Sequence, residues 1–164
     1  MTREAIQTFS YRISQASKSQ LVVILYDMAL EYLKEAREYT DSVADNKEES
    51  HGAYADSLRQ CGRAVDLLIK GLDFQYDISG HLFQIYLYIK KQLVKCITVK
   101  DSDKIMHLEG LLKKLRASFY EVSKTDASEP LMKNTQQIYS GLTYSNRGSS
   151  NEVAAAELNR GFKV

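Results

Sequence analysis

The stretch "SQLVVILYDMAL", residues 19–30, is more apolar than an ordinary surface helix. All of its residues except Ser19, Gln20 and Asp27 are apolar when Tyr26 is counted with the apolar set. A helix that packs one stripe against a core needs an apolar residue only at every third or fourth position. The stretch therefore predicts a helix that carries a second apolar face in addition to its core stripe.

Three further segments show apolar residues at alternating spacings of four and three, which is the pattern of a helical seam. These seams run from Tyr54 to Leu72, from Leu82 to Cys96 and from Ile105 to Val122. Proline and glycine, which commonly end strands and form hairpin turns, are scarce. Pro130 is the only proline, and just five glycines precede it. The sequence therefore predicts an all-α fold.

The connections between these helices are short or polar. Ser17 in "SKSQ" is placed to cap the first helix, "DSVADNKEES" at 41–50 ends it, and "KDSDK" at 100–104 offers caps for the fourth. Short links place consecutive helices antiparallel, so we expect an up-and-down four-helix bundle with a short N-terminal arm over residues 1–129. Residues 130–164 are expected to form a short amphipathic helix, "LMKNTQQIYS", and a polar C-terminal tail.

Composition excludes several classes of partner. The formal net charge of the 164 residues is +1, which gives no reason to expect a nucleic acid. No window approaches the ~18 apolar residues of a membrane span, and the N-terminus has no apolar run of signal-peptide length. Cys61 and Cys96 both lie inside apolar seams, where a free cysteine acts as a small buried side chain. We expect a soluble, cytoplasmic protein without a disulfide.

The second apolar face appears on two helices when residues are placed at 100° intervals. In the first helix the predicted core stripe holds Leu21, Leu25, Met28, Ala29, Tyr32, Ala36 and Tyr39. The residues outside this stripe are Val22, Val23, Tyr26, Leu30 and Leu33. The third helix likewise leaves Phe83, Leu87 and Val94 outside its core stripe. These eight residues are either buried by neighbouring segments or line a groove for an amphipathic helix of a partner, and we favour the groove.

No constellation of residues points to catalysis. His51, His81 and His107 lie in different segments without metal-ligand spacing, and neither cysteine has a histidine nearby in the sequence. Gly-rich phosphate loops are absent from the sequence as well. We expect no enzyme activity, no metal and no cofactor.

Four stretches in order resemble the FliS-type flagellar export chaperones over about residues 15–123. "QASKSQLVVILYDMAL" is similar to that family's Ala-Ser-Pro-x-x-Leu followed by Leu-Tyr-Asp-Gly-Ala, and "GLDFQYDISGHL" to its Leu-Asp-x-x-x-Gly-Gly turn. "IYLYI" is similar to its Leu-Tyr-Asp-Tyr-Met, and "LEGLLKKLRASF" to its Val-x-x-Leu-Leu-x-x-Leu-Arg-x-x-Trp. The motif positions carried over are Tyr26, Asp27, Leu72, Asp73, Tyr86 and Tyr88.

The chain departs from these motifs at four positions, where Lys18, Met28, Leu87 and Phe119 replace the family's Pro, Gly, Asp and Trp. The resemblance implies a chaperone that holds the disordered C-terminal segment of flagellin, prevents premature polymerisation and delivers it to the export gate. The family's N-terminal docking tyrosine has no clear counterpart, so Phe9 or Tyr11 is the candidate here. A groove for a peptide predicts a monomer or weak dimer. The alternative is a self-associating structural or adaptor bundle whose apolar faces meet each other.

Overall fold

The structure, a computed structural model, describes residues 1–41 and 47–132, which form five helices and no strand. The helices are α1 (Arg3–Ser14), α2 (Lys18–Asp41), α3 (Lys47–Lys70), α4 (Asp77–Val99) and α5 (Ser102–Thr125). The all-α prediction is confirmed for this part of the chain. The predicted helix over 131–140 and the tail lie outside the described residues except for Leu131 and Met132, and the domain boundary at 129/130 stays a prediction.

Two helix starts agree with their predicted capping residues. At the start of α2, the backbone N–H of Gln20 donates to Ser17 Oγ at 3.4 Å, and the N–H of Ser17 donates to Gln20 Oε1 at 3.0 Å. This reciprocal pair is a capping box, which satisfies two donors at the helix end. At the start of α5, Asp101 Oδ1 accepts from the N–H of Lys104 at 3.0 Å. Local sequence is therefore enough to place both starts.

Helix α1 is the element that the sequence analysis missed, because residues 1–16 were expected to form an arm. Thr2 caps it by accepting from the N–H of Ala5 at 3.3 Å. It packs on α2, where Arg12 Nη2 donates to Asp27 Oδ2 at 2.5 Å and the backbone nitrogen of Met1 donates to Glu35. Met1, just before α1, reaches Glu35 in the second half of α2, and Arg12, in the last turn of α1, reaches Asp27 in the first half, so α1 runs antiparallel to α2.

The remaining helices contact one another in pairs, with α2 and α4 each packed against both α3 and α5. Tyr54 Oη, near the start of α3, donates to the carbonyl of Cys96 near the end of α4 at 2.8 Å. Arg37, late in α2, pairs with Glu109, early in α5, at 3.0 Å. These contacts enclose one apolar core, whose fully buried members include Tyr26, Leu33, Tyr54, Leu58, Cys61, Val65, Tyr86, Ile89, Cys96, Ile105, Leu108 and Leu112.

The predicted surplus face of α2 belongs largely to this core. Tyr26 and Leu33 are 0% exposed, and Val23 is also buried, so the expectation that they lie outside the core is wrong. The reason is that α2 packs against α1, α3 and α5, so three sides of it are covered. The predicted core residues Tyr32 and Tyr39 are only half-buried. The buried residues of α2 therefore occupy a helix face that lies between the predicted core stripe and the predicted second apolar face.

Gly110 offers a simple test of helix stability, because it lies exposed within α5 and a Cβ placed on it would meet nothing within 4 Å. Gly110→Ala is expected to raise the free energy of unfolding by about 1 kcal/mol, since alanine loses less backbone entropy in a helix. Thermal unfolding should then shift upward by about 2–4 °C. Gly71→Ala is the control, because Gly71 follows the last residue of α3 and should gain less. A lower melting temperature for Gly110→Ala would contradict this account.

Candidate functional site

The outer face of α4 is the clearest unpartnered apolar surface on the described residues. Its inner residues Leu82, Tyr86, Ile89, Leu93 and Cys96 are buried, as the seam predicts. On the outer side Leu87 is 42% exposed and Val94 is 66% exposed, whereas Phe83 is half-buried. The ring of Phe83 meets that of Phe74 edge-on, with the centroids 5.8 Å apart. Helix α4 therefore keeps a second apolar face in contact with water.

This face borders a groove of about 180 Å³ between α3 and α4, which we call the α3–α4 groove. Its apolar lining is supplied by Leu58, Leu93, Val94 and Ile97. Gly62 lines it from α3, and a Cβ there would meet nothing within 4 Å, so the missing side chain leaves the groove open. A groove with an apolar floor between two helices is a shape that accepts side chains of a third helix.

The rim of the α3–α4 groove is predominantly cationic, since Arg59, Arg63 and Lys90 line it against the single carboxylate of Asp66. Lys90 and Asp66 form an ion pair across the groove, and Arg59 pairs with Asp56 at 2.6 Å. Within the described ranges Arg63 forms no ion pair, and its Nη1 donates only to Gln60 Oε1 at 3.4 Å. The rim therefore has a cation available for a partner's carboxylate.

A second cavity lies where α1, α2 and α5 meet, with a volume of about 440 Å³, and we call it the α1–α2–α5 cavity. The predicted groove residue Val23 lines this cavity, whereas Val94 lines the α3–α4 groove. Val22 and Leu30 are half-buried and pack against the core. The structure thus does not join the predicted residues of α2 and α4 into one surface.

No helix in the described ranges is both long and apolar enough to cross a membrane. Residues 1–41 and 47–132 also hold no group of three or more His, Cys, Asp or Glu side chains able to bind a metal ion.

The family model for the flagellar protein FliS matches residues 1–126, which include all five helices. The chain belongs to the FliS family. The resemblance based on the four motifs is confirmed by this match, and FliS membership implies a flagellar chaperone role. A comparison with curated proteins found no match to this chain.

Two of the FliS motif residues, Tyr26 and Tyr86, meet in the core. Their hydroxyl oxygens are 2.5 Å apart, which joins α2 to α4 across the apolar core. Burial raises the pKa of both phenols, and the contact with Tyr86 raises that of Tyr26 further. The ring of Phe119, which replaces the family's Trp, lies 5.6 Å from that of Tyr26. These residues are placed to stabilise the core.

Asp27, the acidic residue of the same FliS motif, joins three helices. Its two carboxylate oxygens accept from Arg12 Nη2 of α1 at 2.5 Å and from Arg116 Nε of α5 at 2.7 Å. The Asp27 carboxylate raises the pKa of the Arg116 guanidinium. Asp27 is mostly buried, whereas the side chains of Arg12 and Arg116 are 38% and 34% exposed, so solvent partly screens this shared pair. The Asp27 carboxylate thus links α1 and α5 to α2.

The other motif residues lie around the turn before α4 and on its surface. Asp73 Oδ1 accepts from the N–H of Gln75 at 3.0 Å, and its carbonyl accepts from Ser79 Oγ at 2.6 Å, so Asp73 shapes the turn. Leu72 packs half-buried against the core, and Tyr88 is exposed on α4. Of the six motif residues, Asp73 and Tyr88 are exposed, and Asp73 is engaged in the turn, so Tyr88 is the better placed to contact a partner.

The candidates for docking to the export gate lie on α1. Phe9 is half-buried, with the guanidinium carbon of Arg12 5.5 Å from its ring centroid. Tyr11 is 59% exposed and lines the α1–α2–α5 cavity. Their role in docking stays a prediction.

Sequence reasoning missed the contribution of α3 to the site. Arg59, Gly62 and Arg63 all line the α3–α4 groove, and Leu67 is exposed on the same helix. The position of Gly62 could have indicated the site from sequence. A glycine inside a helix lowers its stability, so its presence suggests a role in packing or binding.

Proposed function

We propose that this FliS-family chain is a cytoplasmic export chaperone that binds the disordered C-terminal segment of flagellin in the α3–α4 groove. Binding would prevent premature polymerisation and keep the segment ready for delivery to the export apparatus. The observation that carries the proposal is the exposed apolar face of α4, with Leu87 and Val94, beside an open groove in a member of this family. Exposed apolar patches on soluble proteins commonly mark partner sites.

The groove suits a segment that folds into an amphipathic helix on binding. Apolar side chains of such a helix would enter between α3 and α4, and an acidic residue beside them would pair with Arg63. The frame that holds this groove open is, in our proposal, an antiparallel bundle of α2 to α5. The pairwise contacts of these helices and the bond between Tyr54 and Cys96 support that arrangement.

Filling the groove tests the proposed site directly. Gly62→Gln places a side chain into the open space above Gly62 and is expected to weaken binding of a flagellin C-terminal peptide at least tenfold, or about 1.4 kcal/mol. Gly110→Gln is the matched control, because it adds the same side chain to an exposed glycine within α5. Calorimetry at several temperatures should show a negative heat-capacity change for the unmodified chain, because apolar area is buried on binding.

If the Gly62→Gln and Gly110→Gln variants bound the flagellin peptide with equal affinity, the peptide site would lie outside the α3–α4 groove. Leu87→Glu should likewise weaken binding without lowering the helical circular-dichroism signal, since Leu87 is exposed on the outer side of α4. Absence of any binding heat for the unmodified chain would contradict the chaperone proposal itself.

The exposed side chains of Leu67, Leu87 and Val94 also favour a second candidate, a self-associating structural or adaptor bundle. Two copies could cover these residues in a two-fold dimer. Light scattering separates the candidates, because the flagellin proposal predicts a monomer or weak dimer and self-association predicts a stable dimer that Leu87→Glu dissociates.

A further inference from the structure

The outer face of α4 carries an apolar ribbon that extends beyond the α3–α4 groove. Phe83, Leu87 and Val94 follow one another at spacings of four and seven residues, so they lie in line along one side of the helix. They span about three turns, or roughly 16 Å. Phe74, which is 63% exposed, lengthens the line through its edge-on contact with Phe83. We call these four residues the α4 ribbon, and its length matches the apolar stripe of a helix of about 12–14 residues.

Cations border the α4 ribbon on the outer side of the helix. Lys91 is exposed, and it follows Leu87 by four residues and precedes Val94 by three, so it lies beside both on the helix surface. Lys95 is exposed one turn further on. Neither lysine forms an ion pair with the residues that the structure describes. After Asp77, the sequence of α4 holds no other Asp or Glu, so this side of α4 is cationic.

The opposite border, formed by α3, holds a carboxylate that is already paired with a lysine of α4. Asp66 pairs with Lys90 across the α3–α4 groove, and the two side chains are 43% and 38% exposed. An ion pair this exposed is weak, because water screens both charges. A carboxylate from outside the chain can therefore replace Asp66 at Lys90 at small cost. Three residues before Asp66, Arg63 is exposed and, within the described ranges, bonds only to the uncharged Gln60.

We propose that the α4 ribbon binds an amphipathic helix whose apolar stripe is flanked by acidic residues, and that Asp66 occupies in the unbound chain the place that one of those carboxylates takes at Lys90. The argument is charge complementarity. Arg63, Lys91 and Lys95 surround the ribbon without a carboxylate partner among the described residues, although the net charge of the chain is only +1. A basic helix would meet like charges there. This inference rests on the proposed function, because it specifies the chemistry of the segment that binds at the same groove.

Two designed peptides of about 14 residues test this charge preference on the full chain. Both carry leucines at spacings of four and seven residues, to match the α4 ribbon, and they differ only in having glutamate or lysine beside the leucines. Fluorescence anisotropy is expected to show at least about tenfold tighter binding of the glutamate peptide in about 50 mM salt. The preference should fall below about threefold in about 0.5 M salt, because salt screens exposed charges.

Substitutions in the chain locate the charges that are responsible. Lys91→Glu should weaken binding of the glutamate peptide about tenfold. Lys114→Glu is the matched control, because Lys114 is exposed on α5 and its substitution makes the same change in net charge. Asp66→Asn removes the competing carboxylate and should strengthen binding about threefold. Glu121→Gln is its control, because Glu121 pairs with Lys124 on α5 at 2.9 Å.

Equal affinity for the two designed peptides, or equal weakening by Lys91→Glu and Lys114→Glu, would overturn the inference of an acidic helix. Unchanged affinity in Asp66→Asn would overturn the exchange at Lys90. The flagellin proposal fails separately. If the glutamate peptide binds and the flagellin peptide does not, the acidic-helix site is correct and flagellin is not its occupant. If the flagellin peptide binds and the designed peptides bind alike, the flagellin proposal is correct and the charge preference is wrong.

Discussion

Leu33→Ala is expected to lower the free energy of unfolding by about 3 kcal/mol. Leu33 is 0% exposed in the core between α2 and its neighbours, so truncation removes buried methyl groups and leaves a cavity. The matched substitution Leu87→Ala, on the exposed face of α4, should cost less than about 1 kcal/mol. Urea unfolding of the two variants, with equal slopes, measures the difference.

This pair separates the two explanations of the apolar surplus on α2. If Leu33→Ala cost no more than Leu87→Ala, Leu33 would lie on a partner surface, as the periodicity alone predicts. A large cost at Leu33 together with a small one at Leu87 places the unpartnered apolar surface on α4.

Alkaline pH is expected to unfold the chain between about pH 10 and 12. Burial raises the pKa of the Cys61 thiol to about 12, and burial with the nearby Cys96 and Asp101 raises the pKa of Tyr54 to about 12. Tyr26 and Tyr86 are raised in the same direction by burial. The stabilisation from a raised pKa is complete below the unfolded value, 9.0 for Cys and 10.0 for Tyr, and is lost as pH rises above it.

Each such group costs about 1.4 kcal/mol of stability per pH unit above its unfolded value, because the unfolded chain releases a proton that the folded chain retains. By pH 12 the Cys61 and Tyr54 groups alone remove about 7 kcal/mol, which is comparable with the stability of an ordinary domain, about 5–15 kcal/mol, and Tyr26 and Tyr86 act in the same direction. The helical circular-dichroism signal and phenolate absorbance should therefore change together. In Tyr54→Phe the slope of stability against pH should fall by one proton. Equal stability at about pH 7 and 11 would contradict this account.

The helices could be predicted from the sequence where one helix meets few neighbours. Helix α4 lies side by side with α3 and α5 and meets α2 only across the core, among the described helices, so its core stripe and outer face separate cleanly at 100° per residue. In α2 the same 100° placement assigned Tyr26 and Leu33 to the wrong face. Because α1, α3 and α5 cover three sides of α2, apolar residues occur on several faces and periodicity does not separate core from surface. Helix α1 was missed because its inner residues are only half-buried and leave a weak pattern.

The candidate site could be predicted only in part, since a groove is a property of two helices. The residues of α4 are visible in its own periodicity, but Gly62 and Arg63 become groove residues only once α3 lies beside α4. Likewise, the hydrogen bond from Ser17 Oγ to the Asp126 carboxylate joins positions far apart in the chain, and no local pattern encodes it.

The hydroxyl contact between Tyr26 and Tyr86 sets the axial alignment of α2 and α4. Apolar side chains tolerate sliding of one helix along another, because one aliphatic contact replaces the next at similar energy. A slide by one turn, about 5.4 Å, would separate the two hydroxyls inside an apolar interior. Each buried, unpaired hydroxyl costs about 1–3 kcal/mol. The pair therefore discriminates against out-of-register packings that the surrounding leucines and isoleucines would accept.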